Sequence, residues 1–403
     1  MSDCSQNLSR RDMMRLGATG VASAGIASLP VMADEKAVAD KMPKQRYGRT
    51  GLEIGWLVGA SDWPKELIPM AVAAGVNYWH KAQVWNANSL PPALKAQPRE
   101  SYFLECVVDR VGGDHSHGRI DEEEHYQFVK RRLKDSGVGY YDIMKFHFGY
   151  HSVEEAKQNS GMVKAFERLK KEGLVKHLAI SQHHYNAIGG DMAWEVLNYL
   201  ADNRPYDATQ FFYTYGDRKE VQEWIDVAKK KDIATIAMKS MGGVGRAVTD
   251  EKFKKLLADP KFQGSTPGAA MVKWLKSNPN LTAAVIATKN FDQFRENVGA
   301  ATSLAMGPQD HAALALLSGH NKGLTCLLCA QCVTACPEHI GISDIFRYER
   351  YARDYHDLGR ARKEYAALTR NGTSCVGCGD CLPACSQEID IAARLKDIHN
   401  LLG

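Results

Sequence analysis

The chain has no run of about 20 strongly apolar residues, the length a membrane-spanning helix needs. Its nearest approach, Leu16 to Met32, is shorter and rich in Gly, Ala and Ser. It also has no strong charge of either sign. Fifty-one Lys and Arg against 47 Asp and Glu leave +4 over 403 residues, too mild a balance to argue for a nucleic-acid partner. A shortage of apolar residues would point to disorder, but 44% are hydrophobic and 24% charged, as in an ordinary globular protein. The length fits two or three domains and excludes a single tiny one. Cysteine is nearly absent from the first three quarters, where only Cys4 and Cys106 occur. Eight more then crowd between Cys326 and Cys385. So uneven a density has to have a local cause.

The start of the chain is polar, Ser9-Arg10-Arg11-Asp12-Met13-Met14-Arg15, followed by the weakly apolar run and then Val31-Met32-Ala33, a small-residue cleavage pattern. This order is expected of a twin-arginine signal peptide covering residues 1–33. It implies the twin-arginine export machinery as a partner, a periplasmic or otherwise exported location, and no stable membrane span once the signal is removed. That route carries folded proteins, which suits a cofactor assembled inside the cell.

The late cysteines fall into two runs. Cys326, Cys329, Cys332 and Cys336-Pro337 have the spacing C-x2-C-x2-C-x3-C-P, and Cys375, Cys378, Cys381 and Cys385 repeat it with Ser386 in place of the proline. Zinc ribbons use C-x2-C pairs rather than triplets with a fourth cysteine, while a disulfide framework is the other bland reading for an exported protein. The runs resemble the bacterial two-cluster ferredoxin. That resemblance implies two 4Fe-4S clusters, one on Cys326, Cys329, Cys332 and Cys385 and the other on Cys375, Cys378, Cys381 and Cys336. The 38 residues between Cys336 and Cys375 exceed a minimal ferredoxin and, from Ser343 to Tyr355, place aromatic and aliphatic residues at helical spacing, so an inserted helix is expected. Cys106 lies in an apolar, strand-like run and reads as core.

Between residues 42 and 308, eight β-branched or apolar runs (55–59, 77–82, 101–108, 140–147, 177–182, 207–213, 232–240 and 282–289) alternate with amphipathic helical segments. Asp121 to Ser136 is one of these helices, acidic at its start and basic towards its end as the macrodipole favours. Eight such units in about 265 residues match a (β/α)8 TIM barrel, an α/β fold with its active site at the C-terminal ends of the strands. A doubly wound sheet is the rival on periodicity alone. The expected plan is a barrel over 42–308 followed by a small α+β ferredoxin-like domain over 309–403.

Tyr47-Gly48-Arg49-Thr50-Gly51-Leu52, Gly75-Val76-Asn77-Tyr78-Trp79, Tyr141-Asp142-Ile143 ending in His147, Ile180-Ser181, Gln210 and Arg295-Glu296-Asn297 together resemble the aldo/keto reductase family. Met238-Lys239-Ser240-Met241-Gly242-Gly243 looks like the subgroup of that family with a C-terminal iron-sulfur domain. Family members carry an Asp after the second strand, a nearby Tyr as general acid, a Lys on the third strand and a His on the fourth. Matching the motifs puts His80, Trp85, Val107 and His147 at these places, so only the histidine survives. Reduction of a carbonyl needs a proton donor, and an indole N–H is not one near neutral pH.

Polar residues still gather at the expected strand ends: His80, Lys81, His147, Ser181, Gln182, His183, His184, Gln210 and Lys239. His80 and His147 are the expected acid/base residues, with Lys81 supplying positive charge. The resemblance implies a nicotinamide held by Ser181 and Gln210, with Lys289, Arg295 and Asn297 at its adenosine phosphate end. An exported enzyme would meet little free NADPH. The leading expectation is therefore an exported iron-sulfur oxidoreductase, its partners a redox protein or quinone-linked electron carrier and a small-molecule substrate. NADPH-dependent carbonyl reduction and an electron carrier with a silent barrel are the alternatives. Asp114-His115-Ser116-His117 reads as a solvated loop rather than a metal site.

Overall fold

The computed structural model describes residues 42–112, 118–182, 193–216, 219–303 and 305–403. The signal peptide expected at 1–33, the loop around His115 and His117, and His183 and His184 lie outside the described residues. The described residues all fall within one compact unit.

Eight parallel strands close a barrel: β3 (Leu57–Ala60), β4 (Tyr78–His80), β5 (Phe103–Val108), β6 (Tyr141–Phe146), β7 (Val175–Gln182), β8 (Ala208–Phe212), β9 (Ala234–Met238) and β10 (Ala283–Val285), with β10 pairing back onto β3. Each expected strand run yields one of them, so the doubly wound alternative is excluded by ring closure. Both strand faces are covered, which is why these runs are nearly all apolar. The period of two sorts the residues: Leu104, Cys106, Met144 and Phe146 pack outward against helices, while Ile143, Ala179, Ala208, Ala234 and Ile236 fill the interior. Cys106 is fully buried in the outer layer, as expected of a core thiol.

An antiparallel hairpin, β1 (Lys44–Arg46) with β2 (Glu53–Gly55), closes the N-terminal end of the barrel. Arg46 pairs with Asp232 at 2.6 Å and Arg49 with Asp207 at 2.8 Å, which ties the hairpin to the loops entering β9 and β8. Tyr47 from the hairpin enters the interior and approaches Tyr78 OH at 3.3 Å. Around the barrel, the helix Glu122–Ser136 is representative: Asp121 accepts from the Glu124 amide and Gly137 closes the helix in the left-handed conformation.

Beyond the barrel come the helices Pro308–Asn321, Ile342–Arg353, Leu358–Ala366 and Ile391–Leu402, joined by the cysteine loops. The helix expected between Cys336 and Cys375 is present as two, Ile342–Arg353 and Leu358–Ala366. Among the described residues this region has no strand, so the ferredoxin cysteine spacing is carried on helices and loops.

This cap lies on the C-terminal end of the barrel. Phe212 and Met238, which end β8 and β9, belong to the same packed cluster as Leu328, Ala330, Phe346 and Tyr351 of the cap. Arg347 stands over the Phe148 ring at 4.8 Å, and Lys239 over Tyr351 at 5.3 Å. Arg246 pairs with Asp354 at 2.9 Å, and Asn321 donates to the Gly242 carbonyl at 3.2 Å. Gly243 makes this approach possible: its φ is +76°, and a Cβ there would sit 2.1 Å from the Asn321 side chain.

Candidate active site at the barrel mouth

One layer above the apolar interior, the barrel carries a buried ionic network. Glu105 on β5 and Lys145 on β6 point inward and pair at 2.9 Å, each only 1% exposed. Glu105 also meets His80 Nδ1 at 2.6 Å and accepts a short hydrogen bond from Tyr78 OH. Lys145 Nζ lies 2.9 Å from His80 Nδ1 and donates to Gln210 Oε1 at 2.5 Å, while Gln210 Nε2 faces Met238 Sδ at 3.4 Å. Tyr47, Tyr78, Glu105, Lys145, Gln210 and Met238 thus form a continuous chain from the hairpin end of the barrel to the cap.

The electrostatics follow from this geometry. Burial alone would raise the Glu105 carboxyl, but Lys145 and His80 outweigh it and hold it well below the ordinary carboxylate range. Burial, then the neighbouring Lys145, pushes His80 down to about 4 against the opposing pull of Glu105. Lys145 itself is lowered by burial, with Glu105 opposing. At neutral pH, Glu105 is therefore an anion and His80 a neutral imidazole. The proton in the 2.6 Å contact belongs to Nδ1, which donates to Glu105, and Nε2 keeps its lone pair. A carboxylate that fixes the tautomer and can support an imidazolium is the arrangement general-base histidines use.

Neither Glu105 nor Lys145 is conspicuous in the sequence, because both lie within strands rather than at the strand ends where a barrel's functional residues gather. Their signal was charge at inward positions of apolar strands, each two residues before a site already singled out, Val107 and His147. The strand register adds a compensation. Val107, at the place of the family lysine, pairs across β5 and β6 with Lys145, so an ammonium reaches His80 from the neighbouring strand.

The structure does not bond His80 to His147. His147 Nδ1 pairs instead with Asp109 at 2.5 Å, making a second carboxylate–imidazole dyad at the mouth. Lys81 follows β4 in the left-handed conformation, as Phe148 does after β6 and Lys239 after β9. Left-handed backbone at three non-glycine residues beyond strand ends is the kind of strain that collects at working sites. Trp85 is buried against Trp79 with ring centroids 5.9 Å apart and takes no part in the network.

Most of the residues expected to meet a nicotinamide cofactor have partners within the protein. Ser181 Oγ is buried 3.8 Å from Met238 Sδ, and both ends of the Gln210 amide are engaged. Asn297 is buried and donates to Thr288 Oγ1 at 3.0 Å, which makes it a brace for the loop after β10. Arg295 pairs with Asp292 at 2.5 Å on the surface, and Lys289 is an exposed residue whose backbone N–H donates to Gln293. The cap also covers the ends of β8 and β9.

The late cysteines gather in two sets. Cys326 feels Cys329 and Cys385 electrostatically, and Cys332 feels Cys326, Cys329 and Cys385 ahead of Cys381. Cys381 in turn feels Cys336, Cys375 and Cys378. The second set lines a hollow with Ile340, Ile342 and Leu395. These are the two quartets that the ferredoxin resemblance implies. Among the described residues no three His, Cys, Asp or Glu side chains converge tightly enough for a single metal ion. Each quartet offers four soft thiolate donors, the donor type that iron-sulfur clusters take.

The ring of eight parallel strands with polar groups at its C-terminal mouth defines a (β/α)8 barrel, and comparison with known proteins identifies the family. The Aldo/keto reductase family matches residues 47–317, and the chain belongs to it. The chain is 22% identical over 310 residues to an uncharacterized oxidoreductase, YqkF, of Bacillus subtilis, covering 68% of this chain and 95% of that protein. The aldo-keto reductase AKR11C1 from Bacillus halodurans superposes with a TM-score of 0.50 at 16% identity, covering 68% of this chain and 96% of its own. A putative aldo-keto reductase from Pseudomonas aeruginosa gives 0.49 at 19% identity, covering 66% and 98%. The family match stops short of Cys326, so the cysteine-bearing cap is an addition to the shared barrel.

Proposed function

We propose that the protein is an exported iron-sulfur oxidoreductase in which two 4Fe-4S clusters in the cap exchange electrons with a substrate at the barrel mouth. The observation that carries this reading is the sorting of eight cysteines into two quartets on a cap packed directly over the polar end of the barrel. Bound clusters would supply single electrons. The chain's own residues hold the protons: His80 Nε2 takes or returns the proton of the reacting group, Glu105 keeps the imidazole in its tautomer, and Lys145 offsets negative charge. His147 with Asp109 is the second proton-handling pair, and Lys81 adds positive charge at the rim.

The two quartets differ in exposure. Cys378 is exposed, flanked by Val376 and Leu382 at 66% and 43% exposure, whereas Arg350 donates to the Cys326 carbonyl at 2.7 Å from the helix that covers the barrel. The quartet with Cys378 suits entry or exit of electrons through a redox protein or quinone-linked carrier, and the quartet with Cys326 suits delivery to the mouth.

Anaerobic purification, iron and sulfide analysis and reduction followed by electron paramagnetic resonance test the clusters. His80→Ala is expected to abolish substrate-dependent reoxidation of reduced protein while leaving the cluster signals intact. NADPH-dependent carbonyl reduction keeps support from family membership alone. Tight NADPH binding with turnover in cluster-free protein would replace the present reading with that one, and reduction without reoxidation by any of a broad substrate panel would favour a plain electron carrier.

A further inference from the structure

The seam between barrel and cap holds more positive charge than its own carboxylates neutralise. Arg347 pairs with Asp344 at 2.6 Å, Arg360 pairs with Glu364 at 2.6 Å, and Arg246 and Arg350 share Asp354. Lys239 is the exception. Its ammonium rests on the rings of Phe212 at 4.7 Å and Tyr351 at 5.3 Å, and no carboxylate or other hydrogen-bond acceptor reaches it among the described residues. Its charged neighbours are chiefly Arg347, Arg350 and Arg360, so after burial they push it well below the ordinary lysine range. Arg347, 3% exposed, has a buried Nε with no hydrogen-bond partner.

A buried guanidinium N–H without an acceptor and an ammonium without a counter-ion are each costly. One small anion within reach of both would relieve both and would favour the ammonium form of Lys239. The position is also tied to the proposed chemistry. Lys239 follows Met238, whose sulfur touches the Gln210 amide, which accepts from Lys145 beside His80. On the other side, Arg347 lies over Phe148, the residue after His147.

We propose that Lys239 and Arg347 form an anion subsite at the seam and that it takes the carboxylate of a small carboxylic-acid substrate, with the substrate's reacting carbon directed towards His80. This rests on reading the barrel mouth as the reactive site. One free N–H and one ammonium match the two oxygens of a monoanionic carboxylate, whereas the aromatic walls of Phe212, Phe148 and Tyr351 disfavour a strongly hydrated dianion. The cap then supplies half of the substrate site, which makes covering the mouth a requirement for binding.

The test is calorimetric titration of the cluster-loaded protein with pyruvate, glycolate, acetate and inorganic phosphate, using Lys239→Met, which keeps the apolar stem, and Lys239→Arg, which keeps the charge. Circular dichroism and iron content verify that both variants fold and load. Saturable carboxylate binding, weakened at least tenfold in Lys239→Met and largely retained in Lys239→Arg, is the expected result. Carboxylate binding that Lys239→Met leaves unchanged, or no binding at all, would overturn the proposal, and phosphate binding more tightly than every carboxylate would overturn the carboxylate assignment. The redox reading fails separately: protein that binds carboxylate through Lys239 but holds no reducible iron keeps the subsite and loses the clusters.

Discussion

The lower and upper halves of the barrel interior are built on opposite principles. The lower half is Ile143, Ala179, Ala208, Ala234 and Ile236 around Tyr47, a close-packed layer without a charged group. One layer higher stand Glu105, Lys145, His80 and Gln210, a charged network kept from water at the cost of desolvating each member. A fold needing only stability would fill both layers alike, since replacing a buried ion pair by packed apolar groups is often neutral or stabilising. The upper layer is therefore explained by its chemistry rather than by stability.

The largest effect is expected from removing one partner of the upper pair. Glu105→Ala leaves Lys145 buried and uncompensated, and a loss of about 3–5 kcal/mol in denaturant unfolding is expected. Adding Lys145→Met to that variant should restore much of the stability but none of the turnover. A cost under about 1 kcal/mol for the single variant would mean that water already solvates the pair.

The matching change below, Ile236→Ala, should cost about 2–4 kcal/mol through the cavity it leaves. Because the Ile236 side chain can neither give nor take a proton, the turnover of folded protein should stay near wild type. Lost turnover at full occupancy of the folded state would erase the functional contrast between the layers.

The pH dependence of stability reports the buried neutral imidazoles, one in the upper layer and one on the outer helix Glu122–Ser136. Burial lowers His80 to about 4, and His125 likewise, from the ordinary 6.5. The unfolded chain therefore takes up these protons first, so the stability contributed by each neutral imidazole is complete above pH 6.5 and is lost as pH falls towards 4. The expected slope is about 1.4 kcal/mol per pH unit for each histidine within that window. His125→Phe should remove one share and leave that of His80. Equal slopes in both proteins would exclude His125 as a neutral buried residue.

The smallest expected effect concerns what covers the upper half. Arg246→Ala breaks the pair with Asp354, partly open to solvent, and should cost at most about 1 kcal/mol globally. Hydrogen exchange in helix Ile342–Arg353 should nevertheless quicken, because this contact ties cap to barrel.

The barrel was legible because buried parallel strands write themselves as short apolar runs between amphipathic helices, and every run from 55–59 to 282–289 became a strand of the ring. The family resemblance was legible in the turn and strand-end motifs. The upper ionic layer was not. Glu105 and Lys145 sit 40 residues apart in sequence, and neither has a local partner; only ring closure and the β5–β6 register turn two isolated charges into a pair. The expected joint action of His80 and His147 depended on side-chain directions that spacing does not encode, and each found its own carboxylate. Likewise, Asn297 was legible as a family residue, yet its bond to Thr288 is made by packing. The cysteine quartets were readable because ligand spacing is itself the chemistry. That the cap holding them closes the barrel mouth was not, since no local pattern announces a contact such as Arg347 on Phe148.

The most direct measurement is an anaerobic reductive titration of the purified protein, followed by electron paramagnetic resonance with iron and sulfide counted in the same sample. The proposed cluster assignment requires iron and sulfide matching two four-iron cubanes per chain and two distinguishable reducible signals, with Cys378→Ser altering only one of them. Protein that carries zinc or no metal, with the thiols from Cys326 to Cys385 free to react or joined as disulfides, would contradict it.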